Sequence, residues 1–378
     1  MTDKVTIYSD DVKKSIYFII ALTQAQKNPA MQGVLSSRGD LIGGIFDRWI
    51  NTIPESVIFN KIILPTIDGC EDCEIISDFY LYKVKDAGIA PDVLGIKKSE
   101  KNIPFVVFDN GWKPIENMPQ IEVKSFKKKQ KMITLRNQNY NNEYLIMAET
   151  DLRIDYLLPF FDQTIFDAVV KESLDMDDSV FIERDDKHLL KKITSVDNTK
   201  DELGTVRLIK ITTGQNFMDT ATHCDAQESV YYINSVEKVN RITQPLKRSQ
   251  KLSDYCKVID LNRGLYRFNE KMYKKFESNS KNSFKILDFY VSDINSIKVR
   301  KITKKGFYFQ SERDIFLNEV EISKDVMYKV TYEKLDRSSN NGDEYFMQKS
   351  LLKYLDSSEE DLKVKISKIV NGDIYERL

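Results

Sequence analysis

The sequence predicts an α/β N-terminal half, a mixed sheet flanked by helices, followed by a second, β-rich domain. Three observations predict it. The first 170 residues or so run helix, several short apolar strands, helix, which suits a layered α/β core. From about residue 180 short alternating runs take over, the pattern of a sandwich or barrel. The chain has 378 residues and 41% hydrophobic residues, rich in Phe and Tyr, enough for two domains each with its own core. The expected division is 1–175 and 176–378.

Residues 1–35 read as mostly helical, with Ile16, Ile19, Ile20 and Thr23 on one face and a stop at Asn28-Pro29. Residues 36–53 follow as an amphipathic helix capped by Ser36 or Ser37, with Leu41, Ile45, Phe46, Trp49 and Ile53 at helical spacing. Val57 to Leu64 is apolar and reads as a strand or a short helix. Glu74 to Lys85 has strand composition. Between them Cys70-Glu71-Asp72-Cys73 is half of a zinc pattern with no second half nearby, so a polar turn with two free thiols is the better reading.

Residues 89–97 and 103–108 are apolar strands, and Asp109-Asn110-Gly111 is a hairpin turn signal. The chain returns to a strand at Gln120-Ile121-Glu122-Val123-Lys124-Ser125, and a helix is expected from Lys131 to about Asn139. A strand over 143–149 and a helix over 157–170 complete the first half. In the second half 204–212, 229–236, 284–291, 294–302, 306–310, 315–322 and 326–333 alternate as strands, and the last helix-like segment is 346–354. Arg241 to Lys251 is a basic connection.

Chemistry concentrates at Asp92 and Glu122. Each is a carboxylate inside a short Val, Ile and Leu stretch, and a buried carboxylate is costly unless it is paired or holds a metal. Lys124 follows Glu122 by two positions, which on a strand puts both on one face. Charged residues are 30% of the chain, so acid-x-Lys triplets arise easily. Even so, Glu-x-Lys occurs only at Glu122, and the Asp-x-Lys triplets at Asp11, Asp185 and Asp361 all lie in polar surroundings. The bland alternative is that Glu122 and Lys124 are solvated residues of an edge strand.

Pro91-Asp92 and Glu122-Val123-Lys124 resemble the two halves of the motif of the PD-(D/E)xK nuclease superfamily, which includes many restriction endonucleases. The resemblance covers about the first 170 residues and rests on a short motif. It implies a restriction-endonuclease-like mixed sheet and a Mg²⁺-dependent endonuclease acting on double-stranded DNA, leaving a 5′-phosphate. Asp92, Glu122 and the Val123 carbonyl would hold Mg²⁺, and Lys124 would orient or deprotonate the attacking water. Glu55 is a candidate additional acidic residue, ahead of Asp47. Repair, junction resolution and transposon end cleavage compete with a restriction or defence role, which the separate β-rich domain favours. The rival class is a non-catalytic or partner-dependent DNA-binding protein on a nuclease-like fold.

Net charge is -1, so any affinity for DNA has to come from local patches. The clearest is Lys127-Lys128-Lys129-Gln130-Lys131, with Arg136 further on, directly after the Glu122 strand. Cutting both strands of a duplex makes a homodimer the expected assembly. No run of about 18 apolar residues signals a membrane span. No Gly-rich phosphate loop signals a nucleotide cofactor. The absence of a secretory signal and the four Cys lead to an expectation of the cytoplasm.

Overall fold

A computed structural model describes residues 3–8, 11, 15, 53–78, 91–99, 101–107, 113–136, 143–152, 202–225, 228–240, 249–276, 284–335 and 344–372. The chain divides into two compact units. One comprises Met1–Lys129, Gln138–Gln215 and Asp356–Leu378, and the other Gln130–Asn137 and Asn216–Leu355. The division therefore does not fall at residue 175. The first unit reaches forward to residue 215 and takes back the C-terminus, and the second reaches back for 130–137. Helix and strand are mixed, strands predominate among the described residues, and they form several sheets.

In chain order the first ten strands are β1 (Lys4–Tyr8), β2 (Cys73–Ser77), β3 (Val93–Lys98), β4 (Lys101–Pro104), β5 (Val106–Val107), β6 (Lys113–Pro114), β7 (Gln120–Lys127), β8 (Met132–Arg136), β9 (Glu143–Leu152) and β10 (Glu202–Thr213), all of the first unit except β8. The main sheet has the order β1-β10-β9-β7. Within it β7 and β9 are parallel, with Glu122 opposite Leu145, while β9, β10 and β1 run antiparallel. β2, β3 and β4 form a second, antiparallel sheet. β5 and β6 pair on either side of the expected hairpin turn, which itself lies outside the described residues, as does Trp112.

Alternation explains why β7 sits as it does. Ile121 and Val123 are buried in one cluster with Ile146, Ala148, Val206 and Ile211, so the alternate residues Glu122 and Lys124 point to the opposite face. Burying a side chain such as Ile121 contributes roughly 1.5–3 kcal/mol, so a one-residue slip that exposed this set would be prohibitive. Gly95 is required by close approach. A Cβ there would stand 2.4 Å from the Ile103 carbonyl oxygen of the neighbouring strand.

Residues 53–58 are helical and continue as a π-helical turn over Phe59–Ile63 and a 3₁₀ turn over Leu64–Thr66, ending near Pro65. This settles the strand-or-helix ambiguity of the Val57 to Leu64 run. The helix Glu359–Val370, which the sequence reading did not anticipate, buries Leu362, Ile366, Ile369 and Val370 in the same cluster. Glu359, Glu360 and Asp361 occupy its first turn and Lys368 its last, matching the helix dipole.

Several expectations are corrected. Lys4–Tyr8 is a strand rather than part of a helix, because it pairs with a partner some two hundred residues away, Thr205 facing Thr6. The helix expected after Lys131 is instead strand β8. Met132 and Leu135 are spaced as on a helix, but Ile133 is buried as well, and the segment pairs antiparallel with Glu344–Gln348 in the second unit. The last helix-like segment is that same strand Glu344–Gln348 followed by a 3₁₀ turn, Lys349–Tyr354. The 204–212 run is a strand as expected but belongs to the first unit. The helices expected over 36–53 and 157–170 lie outside the described residues, apart from Ile53.

In the second unit one six-stranded sheet runs, in order across it, Gln250–Lys251, Ile297–Thr303, Gly306–Ser311, Met327–Lys334, Ser229–Lys238 and Phe284–Ile286. Its core is aromatic. Phe268 stacks on Phe289 at 4.5 Å between ring centroids and meets Phe307 and Tyr332 edge-on. Among the described residues no helix is long and apolar enough to cross a membrane.

Candidate metal and phosphate site

Asp92 stands at the start of β3, where the second sheet touches the outer edge of β7. Its backbone N–H donates to the Ile121 carbonyl at 3.1 Å, and its own carbonyl accepts from the Asp78 N–H at 3.0 Å. Its Oδ2 accepts from the Val123 N–H at 2.7 Å. Asp92 is thus tied to the edge of β7 at two points, Ile121 and Val123, and to Asp78 at a third, and its carboxyl lies beside Glu122. The side-chain ammonium of Lys124 contacts Glu122 Oε1 across the strand face that both share.

The electrostatics follow from this packing. Removal from water, and then the negative charge of Glu122, hold the Asp92 carboxyl well above the ordinary carboxylate range. The Lys124 ammonium, the Val123 N–H and the charge of Asp78 act more weakly, the first two pulling it down and the last pushing it up. Asp92 keeps part of its surface in contact with solvent, and the Glu122 and Lys124 side chains are 13% and 27% exposed, so the group is enclosed without being sealed. Two carboxylates held this close repel each other unless a proton or a cation stands between them.

Val123 contributes through its backbone. Its N–H points to the Asp92 side of β7, and in an extended strand the carbonyl of the same residue points the same way. Asp92, Glu122 and that carbonyl are all hard oxygen donors, which suits Mg²⁺. The fit is that of a minimal site. Among the described residues no group of three or more His, Cys, Asp or Glu converges as if for a metal. Glu55 therefore does not stand as a third carboxylate beside Asp92 and Glu122. It is buried on the 53–58 helix, at 9% exposure, rather than solvated. Asp47 lies outside the described residues.

The lysine run is divided between the two units. Lys127, Lys128 and Lys129 are exposed on the first unit, with Lys128 lying 3.4 Å from Asp151, whereas Gln130, Lys131 and Arg136 belong to the second. Gln130 donates to the Met132 carbonyl, and Lys131 donates to the Asn234 carbonyl and side chain at 2.6 Å. Arg136 faces Glu344 in strand register.

Among the described residues no group of Cys and His gathers as if for zinc. Cys70 and Cys73 are free thiols in a turn of the first unit, Cys224 and Cys256 lie in the second, and burial pushes the Cys70 thiol up to about 12. Sequence reasoning missed Asp78. It follows the short strand β2, and nothing in its spacing announces that it bonds the backbone of Asp92. No family model matches the chain, and no curated protein or solved structure matches it.

Proposed function

We propose that the chain is a Mg²⁺-dependent endonuclease that hydrolyses phosphodiesters of double-stranded DNA, in the manner of a restriction or defence enzyme. The observation that supports it most is the meeting of Asp92 with the Glu122-Val123-Lys124 strand, held by the bond from the Val123 N–H to the Asp92 carboxylate. Asp92, Glu122 and the Val123 carbonyl would hold the ion. Bound there, Mg²⁺ supplies Lewis acidity toward the phosphate and lowers the pKa of a water.

The chain's own residues do the rest. Asp92 and Glu122 offer opposed negative charge whose mutual repulsion favours a cation. Lys124 stands on the reacting face with its ammonium beside Glu122, where it can orient the attacking water and stabilise charge gathering on the phosphorane. The β-rich second unit would read the target sequence or a modification of it. A homodimer would bring two such sites to the two strands of one duplex.

The test is incubation of the purified chain with methylated and unmethylated plasmid and phage DNA, in Mg²⁺ and in EDTA, beside Glu122→Ala. Discrete fragments that need Mg²⁺ and vanish in the variant are expected. Binding without cleavage on every substrate would instead favour a non-catalytic or partner-dependent DNA-binding protein. Failure to bind DNA at all would remove both.

A further inference from the structure

The net charge of -1 is the balance of two large and opposite charges. The second unit carries 27 Lys and Arg against 19 Asp and Glu, a net charge of +8. The first carries 30 against 39, a net charge of -9. A polyanion is therefore drawn to the β-rich unit. Salt limits such attraction to about 8 Å at physiological ionic strength, so what matters is where on that unit the cations gather.

They gather on one face of the six-stranded sheet. Val299, Phe307, Phe309, Tyr328 and Val330 all lie in the aromatic core, so the alternate residues Tyr308 and Lys329 point to the opposite face. A bulge adds to that face. The pairing of Ile297–Thr303 with Gly306–Ser311 shifts between Val299 and Lys301, and Ile302 packs against the same core as Val299. Arg300 and Lys301, adjacent in sequence, are thus both left on the outer face. Lys301 lies opposite Tyr308, and Tyr308 opposite Lys329. The row is open to solvent, with Lys301 exposed and Arg300, Tyr308 and Lys329 half-buried.

The cations on this face are oriented by neutral groups. Arg300 Nε donates to Gln310 Oε1 at 2.9 Å, and Gln310 Nε2 donates to the Asp325 carbonyl at 3.2 Å. The guanidinium is fixed by an amide, which leaves its charge uncancelled. The Lys329 ammonium stands 6.0 Å from the centre of the Tyr308 ring. Lys329 faces Glu237 on the next strand, and there the basic surface ends. Lys301 and Lys329 are two strand spacings apart, about 10 Å backbone to backbone. That covers two or three phosphates of one DNA strand, at about 3.4 Å of helix axis each.

We propose that this face holds the phosphate backbone of duplex DNA through Arg300, Lys301 and Lys329. The proposal takes from the endonuclease reading the identity of the polyanion, and it names the surface of the second unit that meets it. These contacts supply affinity and register without sequence preference.

The experiment measures binding of the full chain to a fluorescent duplex of random sequence in EDTA, over a series of KCl concentrations. The face variant combines Arg300→Gln, Lys301→Gln and Lys329→Gln. The control combines Lys257→Gln, Lys271→Gln and Lys274→Gln, which removes the same charge at exposed positions of the same unit. Lys271 and Lys274 stand on the helix Glu270–Phe276, which buries Met272 and Phe276 in the aromatic core and so lies on the other side of the sheet. Loss of three phosphate contacts flattens the dependence of log K on log salt by about 2.7 and weakens binding several hundredfold near 0.1 M salt, roughly. The face variant is expected to show both, and the control to keep a slope close to that of the wild type. Arg300→Lys, Lys301→Arg and Lys329→Arg together should keep the wild-type slope. Equal losses in the face variant and the control would reduce the effect to net charge and overturn the proposal. Weakened binding with an unchanged slope would overturn it as well. A wild type that binds and cuts DNA, with a face variant that binds equally well, would overturn it and leave the endonuclease reading standing. The expected slopes without any Mg²⁺-dependent cleavage would support the face and remove the endonuclease reading. A wild type that binds no duplex at any salt would overturn both.

Discussion

Asp92 and Asp288 are both drawn largely out of water, and the two units surround them with opposite company. Asp288, 3% exposed, receives the guanidinium of Arg267 in a two-point grip of 2.6 and 2.8 Å. Its backbone is held as well, its N–H donating to Thr222 and its carbonyl accepting from Gln348, which in turn accepts from Asn318. Burial raises the Asp288 carboxyl, and Arg267 pulls it back. Burial raises the Asp92 carboxyl too, but there the strongest neighbour is Glu122, which pushes it further up. One aspartate is satisfied by its own chain. The other is left needing a proton or a cation. A fold keeps the first kind for structure, and the second kind is a signature of a site.

Removing charge at the two places should break the protein in different ways. The largest effect is expected for Glu122→Gln, which should lower the Mg²⁺-dependent cleavage rate by at least ~10²–10³-fold while the protein stays folded, as single-turnover kinetics on a cut plasmid would show. Arg267→Ala should do the converse. It leaves Asp288 buried without its partner and should cost about 3–5 kcal/mol in denaturant unfolding. If Arg267→Ala proves harmless to stability, the contrast between the two aspartates collapses.

Asp92→Asn should stabilise the metal-free protein, because it removes the repulsion with Glu122 while a carbonyl oxygen can still accept from Val123. A rise in the thermal midpoint on the order of 2–4 °C in EDTA is expected, together with loss of cleavage. The pH dependence sharpens this. Folded Asp92 keeps its proton to a higher pH than it does unfolded, so as pH rises from about 4 through its raised folded value the unfolded state releases the proton first. Stability of the metal-free wild type should therefore fall over that interval, and Asp92→Asn should lose that component of the slope.

Smaller effects belong to the surface. Replacing Lys127 or Lys129 with Ala should weaken DNA binding equally for all sequences and reduce the salt slope by about one at most. Glu55→Gln should leave a Mg²⁺ titration by calorimetry unchanged, since Glu55 does not converge with Asp92 and Glu122. A shifted titration would bring Glu55 back as a ligand.

Much of the site was legible from residue types alone. A carboxylate in an apolar run has to be compensated, so Asp92 and Glu122 stood out, and strand alternation placed Lys124 beside Glu122. Strands β7 and β9 and most strands of the second half were legible for the same reason, since a period of two survives in a single sequence. Met132 to Arg136 was not. Its helical spacing is local, and what makes it a strand is Glu344–Gln348, far along the chain. Lys4–Tyr8 fails in the same way, its partner being β10.

The sequence by itself determined the composition of two cores, the strand periods, and the three charged side chains, Asp92, Glu122 and Lys124, that the structure brings side by side. Only the tertiary structure decided that the first unit claims both ends of the chain, that Asp92 is bonded to the edge of β7, and that a bulge leaves Arg300 and Lys301 on one face of their sheet. The reason is physical. Side-chain period and burial preference are properties of a short stretch, whereas strand partnership and register are settled by surfaces that meet only when distant stretches have folded.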